Sequence, residues 1–376
     1  MTIRAVGLAA VALCLVVGGA AAQVRTTVRA QAVYESYSFD PGFNFEKVSE
    51  FSVPVGVDLS IGRRLDVTLS AGYVSLEVTP KADYERVSGM LDTQLRFGIK
   101  LIPGHLTAII AGAVPTGVKV DSAQASVLTP IASDVIGFAI PTLGMGGSLG
   151  GGLVGAVSAG RFAIGMGATY HYPFSYQPFQ NSTTELVPGS ELRGRLGIEG
   201  PLARTTYMRF AGVYAARSKD QFGGVTQSGV GNRLIGYGEV IQGIGRMQLT
   251  LYAFDVYRGS PSIEGPAVLP KGNLIAAGFR HAVPVTRTLS LAPRVEWRMS
   301  TAAVETTGPI GATPTFGSLQ KAGSSFRIGM DVRQAFSPGV SLGVYGSGLF
   351  GDVRPEGGAD VPINGWRAGI LFTVTR

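Results

Sequence analysis

From residue 23 onward the chain alternates apolar and polar positions in stretches of about ten residues, separated by turn-rich breaks. Between 51 and 61, Phe51, Val53, Val55, Val57, Leu59 and Ile61 fall on one phase, while Ser52, Gly56, Asp58 and Ser60 fall on the other. A two-residue period of this kind is a strand with one apolar face and one wet face. It repeats along the chain, and no apolar run beyond residue 22 is long enough for a membrane helix. The pattern predicts an all-β protein, a transmembrane antiparallel up-and-down β-barrel.

Short turn-forming breaks recur at 62–64, 103–105, 159–161, 200–204, 243–246, 283–287 and 337–339. Longer polar breaks lie near 40–46, 79–86, 118–141, 176–190, 217–231, 258–272, 301–323 and 352–363. Short turns at one end and long loops at the other are the asymmetry of outer-membrane barrels. About seven short and eight long connections imply about 16 strands, with about 14 as the alternative, and both termini at the short-turn end. The aromatic groups Tyr34, Tyr37 and Phe39, then Tyr170, Tyr172, Phe174 and Tyr176, then Tyr252, Phe254 and Tyr257 crowd the strand ends beside long breaks. An interfacial belt is expected there. Pro54 and Pro293 fall inside predicted strands; each removes a ladder donor and should mark a bulge or a local break.

Residues 1–22 read as a secretory signal peptide: Arg4, an apolar run over 5–17, and small residues ending in Ala20-Ala21-Ala22. Residues 23–376 read as one barrel domain, with no linker or compositional shift to divide them. An exported chain of this design is expected in the outer membrane of a Gram-negative-type bacterium, with outer-membrane lipid as its surroundings. The single cysteine, Cys14, lies inside the leader, so the mature chain has neither disulfides nor thiol chemistry.

Glycine is abundant, 54 of 376 residues, yet it comes with β-branched and aromatic residues that a disordered chain lacks. Glycine in strands points instead to close backbone approach, kinks or an open lumen. The net charge of +7 is spread over single basic residues without a patch, which argues against a nucleic-acid partner.

If the apolar phase meets lipid, the other phase lines the interior. The pore-lining set expected on that phase is Asp58, Asp66, Asp92, Arg96, Lys100, Arg193, Arg195, Arg294, Glu296, Arg298, Arg327, Asp331 and Arg333. Two arrangements of these charges stay open: acidic and basic walls facing each other across water, or ladders that neutralise each other between neighbouring strands. The break at 118–141 is distinct, because Val127, Leu128, Ile131, Val135, Ile136 and Phe138 are too apolar for a solvated loop. Asp121 and Thr129-Pro130 resemble helix starts and Gly137 a helix stop, so this third outer loop is predicted to carry a short helix. Folding into the barrel as a constriction is the preferred reading; a lid over the mouth and a subunit contact are the alternatives.

Catalytic chemistry is thinly represented. The histidines are His105, His171 and His281, and only His171 sits near the outer rim, where it reads better as an interfacial aromatic between Tyr170 and Tyr172. No Cys/His pair has metal-ligand spacing. Gly150, Gly152 and Gly155 meet a nucleotide-loop pattern that so glycine-rich a stretch produces by chance. Asp352, Glu356 and Asp360 read as a solvated polar loop rather than a calcium site. Neither an enzyme nor a cofactor or metal is expected.

The segment Ser88-Gly89-Met90-Leu91-Asp92-Thr93-Gln94-Leu95-Arg96, followed after a hairpin by Ala113-Val114-Pro115-Thr116-Gly117 and the apolar loop, carries a resemblance. It resembles the transporter-type barrels grouped with the meta-pathway phenol-degradation outer-membrane proteins, distant relatives of the long-chain fatty acid transporters. The resemblance implies passive or facilitated uptake of small solutes, hydrophobic or aromatic among them. The chain departs from the fatty acid transporters in that its first predicted strand begins within a few residues of the cleavage site, leaving no room for an N-terminal hatch. About sixteen strands and an inserted third outer loop also look like general porins, though their acidic loop motif is not found. The expected function is thus a diffusion channel for a small-molecule solute. A porin-like pore for polar or anionic solutes, a barrel enzyme, and a structural or adhesive barrel are the alternatives, and a homo-oligomer stays open.

Overall fold

The computed structural model describes residues 24–40, 45–80, 85–121, 133–227, 231–260, 271–306, 315–354 and 358–376. The leader at 1–22 lies outside them. Strands β1 (Val24–Phe39), β2 (Phe45–Ile61), β3 (Leu65–Pro80), β4 (Glu85–Met90) and β5 (Thr93–Ile102) come first. They are followed by β6 (Leu106–Val114), β7 (Ser148–Ala159), β8 (Phe162–Pro173) and the two-residue β9 (Leu186–Val187). Next come β10 (Glu191–Ala203), β11 (Thr206–Arg217), the short β12 (Asp220–Phe222) and β13 (Val225–Gln227), β14 (Arg233–Ile244) and β15 (Met247–Arg258). The chain ends with β16 (Gly272–Pro284), β17 (Leu289–Thr306), β18 (Thr315–Ser337), β19 (Val340–Val353) and β20 (Val361–Thr375).

β1 pairs antiparallel with β2 on one edge and with β20 on the other, which closes the sheet into a barrel without a free edge. β4 and β5 are two halves of one stave. Both pair with β3, and their register moves by one residue across Leu91 and Asp92, where Tyr73 faces Met90 but Ser70 faces Gln94. The 17 strands of the closed sheet are therefore 16 staves. β9, β12 and β13 form a separate small sheet over the long-loop end.

Every second side chain faces out, and these side chains are apolar and exposed: Leu149 and Leu153 on β7, Leu192 and Leu196 on β10, Phe326 and Ile328 on β18, Trp366 and Ile370 on β20. A surface of this extent facing water would aggregate, so the belt faces lipid and the fold is a transmembrane barrel.

Among the described residues there is no helix, and most of the predicted helical stretch, 122–132, lies outside them. Where the third loop is described it makes a single turn, with the Gly137 amide donating to the Ser133 carbonyl at 2.9 Å and Gly137 ending the turn at φ +61°; the Val135, Ile136 and Gly137 carbonyls and the Ala139 and Ile140 amides are bonded to the wall instead. The predicted loop at 301–323 is shorter, because β17 and β18 continue outward through pairs such as Thr301 with Lys321 and Ala303 with Leu319. Pro54 and Pro293 make no bulge. Each interrupts pairing on one side only, Pro54 toward β1 and Pro293 toward β16, and the register is unchanged beyond it. The aromatic belt is also thinner than expected: Tyr34, Tyr170, Tyr172 and Phe174 are exposed, but Tyr37 and Phe39 turn inward and are buried.

Candidate functional site

The interior has two unlike halves. Toward the long-loop end, the inner faces of β1–β4, β19 and β20 are apolar: Val48, Val74, Leu76, Val78, Val87, Leu349 and Ile363 are all buried. Val120, Val135, Ile136, Phe138 and Leu143 of the third loop pack onto this wall, so the loop lies inside the barrel and forms a core there. Phe138 meets the Tyr37 ring edge-on at 5.1 Å between centroids. Of the six residues expected to form the constriction, Val135, Ile136 and Phe138 are in this core, whereas Val127, Leu128 and Ile131 lie outside the described residues.

A buried loop must satisfy its backbone groups, and the wall supplies the partners. Ala139 N donates to Glu35 Oε1 at 2.7 Å and Ile140 N to Glu50 Oε1 at 3.1 Å. In return Arg327 Nη2 donates to the Ile136 carbonyl and Arg367 Nη2 to the Gly137 carbonyl, both at 2.6 Å, and Ser325 Oγ donates to the Val135 carbonyl at 2.8 Å. Arg258 Nη2 grips Asp134 Oδ2 at 2.7 Å. Glu35 is fully buried, and its Oε2 also accepts from Tyr37 OH at 2.7 Å and from Arg367 Nη2 at 2.5 Å. One carboxylate thus ties a loop amide, a tyrosine and an arginine together. Gly137 suits the same latch, because a Cβ there would fall 1.9 Å from Arg298 Nη1.

The root of the loop is held at the break between β4 and β5. Asp92 accepts from Gly117 N at 2.7 Å and from Met145 N at 2.6 Å, and Val118 N bonds to the Met90 carbonyl at 2.8 Å. Asp92, expected to line the pore, instead clasps both strands of the loop base.

Most of the interior charges form ladders, the second of the two arrangements left open by the sequence. Asp58 pairs with Arg29 and Asp66 with Lys100, each at 2.7 Å. Glu191 pairs with Arg193 and Arg233, and Arg209 with Glu199 at 2.8 Å. Arg280 and Arg294 share Asp331, and Arg298 pairs with Glu296 at 2.7 Å, which also accepts from Tyr252 OH. Arg333 donates to Ser341 Oγ at 3.2 Å. Arg327 points inward but is only 7% exposed; it lies beneath the loop rather than beside open space.

Beside the loop-bearing wall, β3, β5–β8, β10 and β11 line a cavity of about 960 Å³. Its wall is nearly bare because the inward positions of β7, β8 and β10 include Gly150, Gly152, Gly165, Gly167 and Gly197. At Gly152 a Cβ would lie 2.1 Å from the Ala168 carbonyl oxygen, so the neighbouring strand itself excludes a side chain. The expected chance match over Gly150, Gly152 and Gly155 sits in the middle of β7, not at a strand-to-helix turn. Arg96 and Arg195 border the same cavity and are exposed to it.

His171 turns inward: it pairs with Gly150 and Glu191 on the lumen phase while Tyr170 and Tyr172 are exposed on the other face, so it is not an interfacial aromatic. In the last long loop, Asp352 and Asp360 both contact Lys321, and the Arg354 guanidinium, bonded to Asp360 at 2.6 Å, holds its carboxyl below the usual carboxylate range. Glu356 lies outside the described residues. Glu35, Arg258 and Ser325 were not singled out in the sequence and Tyr37 only as an interfacial aromatic, although carrying the inward phase of β1 from Arg29 reaches Glu35 and Tyr37 directly.

Fold and interior together define a transmembrane β-barrel with an inserted loop and a partly open lumen. In shape the chain is similar to OmpTdeltaL8, a loop-deletion mutant of the Vibrio cholerae outer membrane protein OmpT, at 11% identity over 94% of this chain and 100% of that one, TM-score 0.44. It is also similar to Pseudomonas aeruginosa OpdQ, at 10% identity over 94% and 98% with TM-score 0.49. A mutant of the TodX monoaromatic hydrocarbon channel gives 10% identity over 95% and 90%, TM-score 0.45. No protein-family model and no curated protein sequence matches the chain.

Proposed function

We propose that this chain is an outer-membrane channel through which small solutes diffuse passively, with no catalytic step and no bound cofactor. The observation that carries the reading is the division of the interior: a loop latched to one wall narrows the barrel, while a wall with glycines at many inward positions of β7 and β8 keeps a cavity of about 960 Å³. A barrel built only to anchor or adhere has no use for an interior kept open at the cost of so many side-chain contacts. Charged ladders along the rest of the lumen favour solutes that travel with water. Val135, Ile136 and Phe138 of the third loop are packed into a core, so they offer no greasy path for the hydrocarbon-like solutes implied by the resemblance. Purified, refolded protein in a planar bilayer should give discrete conductance steps; absence of any conductance across salt concentrations would sink the reading.

A further inference from the structure

Resting on that reading, we infer that the trough binds the anionic group, carboxylate or phosphate, of the permeating solute at either of two points, the guanidinium of Arg96 or that of Arg195. Both side chains belong to the inward phase. Arg96 faces Thr68 and Ala111 across its neighbours, and Arg195 faces Gly167 and Val213. They border one cavity and are separated along the wall by β6, β7 and β8, four strand spacings or roughly 19 Å. Between them lie Ala111, Gly150, Gly152, Gly165 and Gly167, which leave the guanidinium groups nothing to pack against.

What sets these two arginines apart is the state of their neighbours. Arg193 and Arg209 border the same cavity, but Arg193 is bonded to Glu191, and Arg209 to Glu199 with Glu239 at 3.8 Å. The carboxylate nearest Arg96 along β3, Asp66, is engaged by Lys100 at 2.7 Å and by Ser60 Oγ at 2.9 Å. Among the described residues neither Arg96 nor Arg195 has an ion-pair partner within 4.0 Å. In a chain that neutralises its interior charges almost pair by pair, two guanidinium forks without an ion pair at one open trough are matched to an oxyanion from outside, which each fork can take in bidentate fashion. His171 borders the trough beside Glu191 and leaves this charge balance unchanged when neutral.

The test is the reversal potential of the reconstituted channel in a potassium chloride gradient, with sodium benzoate and inorganic phosphate then added as blockers. The wild-type channel should prefer chloride, and both blockers should reduce its current. The double variant Arg96→Gln with Arg195→Gln should lose the preference several-fold and lose the block, while Arg96→Lys with Arg195→Lys, which keeps the charge, should restore the chloride preference. A conducting wild type that prefers cations, or a double glutamine variant with unchanged selectivity and block, overturns the inference and leaves the channel reading standing. A wild type that does not conduct overturns the channel reading and the inference with it.

Discussion

The loop-bearing wall and the bare wall of this barrel use opposite means to shape one lumen. On β1–β4, β19 and β20 large apolar inward side chains surround a few buried charges, and a loop is drawn into them until Tyr37, Leu76 and Ile136 are almost wholly excluded from solvent. On β7 and β8 many of the inward positions are glycine or alanine, and the space stays open. Each device would fail alone. A loop in a barrel whose other wall carried large side chains would plug it, and a bare wall without the loop would leave a wide hole with little to select on. The difference teaches that a side chain's absence can be as specific as its presence: Gly152 is set by a strand 2.1 Å from where its Cβ would be, while Gly165 has nothing closer than 3.8 Å and is free of that constraint.

The sharpest way to break the contrast is to release the loop. Glu35→Ala removes the acceptor for Ala139 N and Tyr37 OH and strands Arg367 without its carboxylate. Deleting one partner of a buried pair costs about 3–5 kcal/mol. The expected outcome is a lower urea midpoint in detergent and a several-fold rise in single-channel conductance. A variant that unfolds at the wild-type midpoint and conducts as before would mean that the latch does not hold the loop. The converse change acts on the other wall. Gly165→Phe should fit without strain at its Cβ and project a ring into the cavity, lowering conductance several-fold at little cost in stability. Gly152→Ala, with far less added volume, should instead destabilise the wall, and comparing their unfolding midpoints separates space kept open for passage from space the strands need.

Much of the barrel was legible because a two-residue period leaves few choices. The stave number, the short-turn end and the inward phase of Asp58, Arg195 and Arg294 all follow from alternation and turn chemistry. What alternation does not carry is which inward charges end up paired, since that depends on register between strands distant in sequence: Arg367 meets Glu35 across 332 residues. The loop's local sequence suggested a helix for the same reason. Asp121, Thr129 and Gly137 carry helix-end chemistry; in the described part of the loop, the Val135, Ile136 and Gly137 carbonyls and the Ala139 and Ile140 amides find their partners in Ser325, Arg327, Arg367, Glu35 and Glu50 instead. Tyr37 and Phe39 were misplaced because aromatic residues at a strand end suit a lipid interface and an inner core equally well, and only the phase of β1 decides between them.

A smaller effect is expected at the seam between the two halves, where Asp92 holds the loop root at the break in the β4–β5 stave. Asp92→Asn keeps the size and one accepting oxygen, so it can retain either the bond from Gly117 N or that from Met145 N, but not both at charge-assisted strength. The loss should be about 1–2 kcal/mol, enough to loosen the root while the distal latch through Glu35 and Arg367 stays closed. Mean conductance should then change little, but current noise in single-channel records should rise, because the loop would swing about a fixed far end. Conductance rising to the level of Glu35→Ala would show the reverse order of importance, with the root rather than the latch keeping the two halves of the lumen apart.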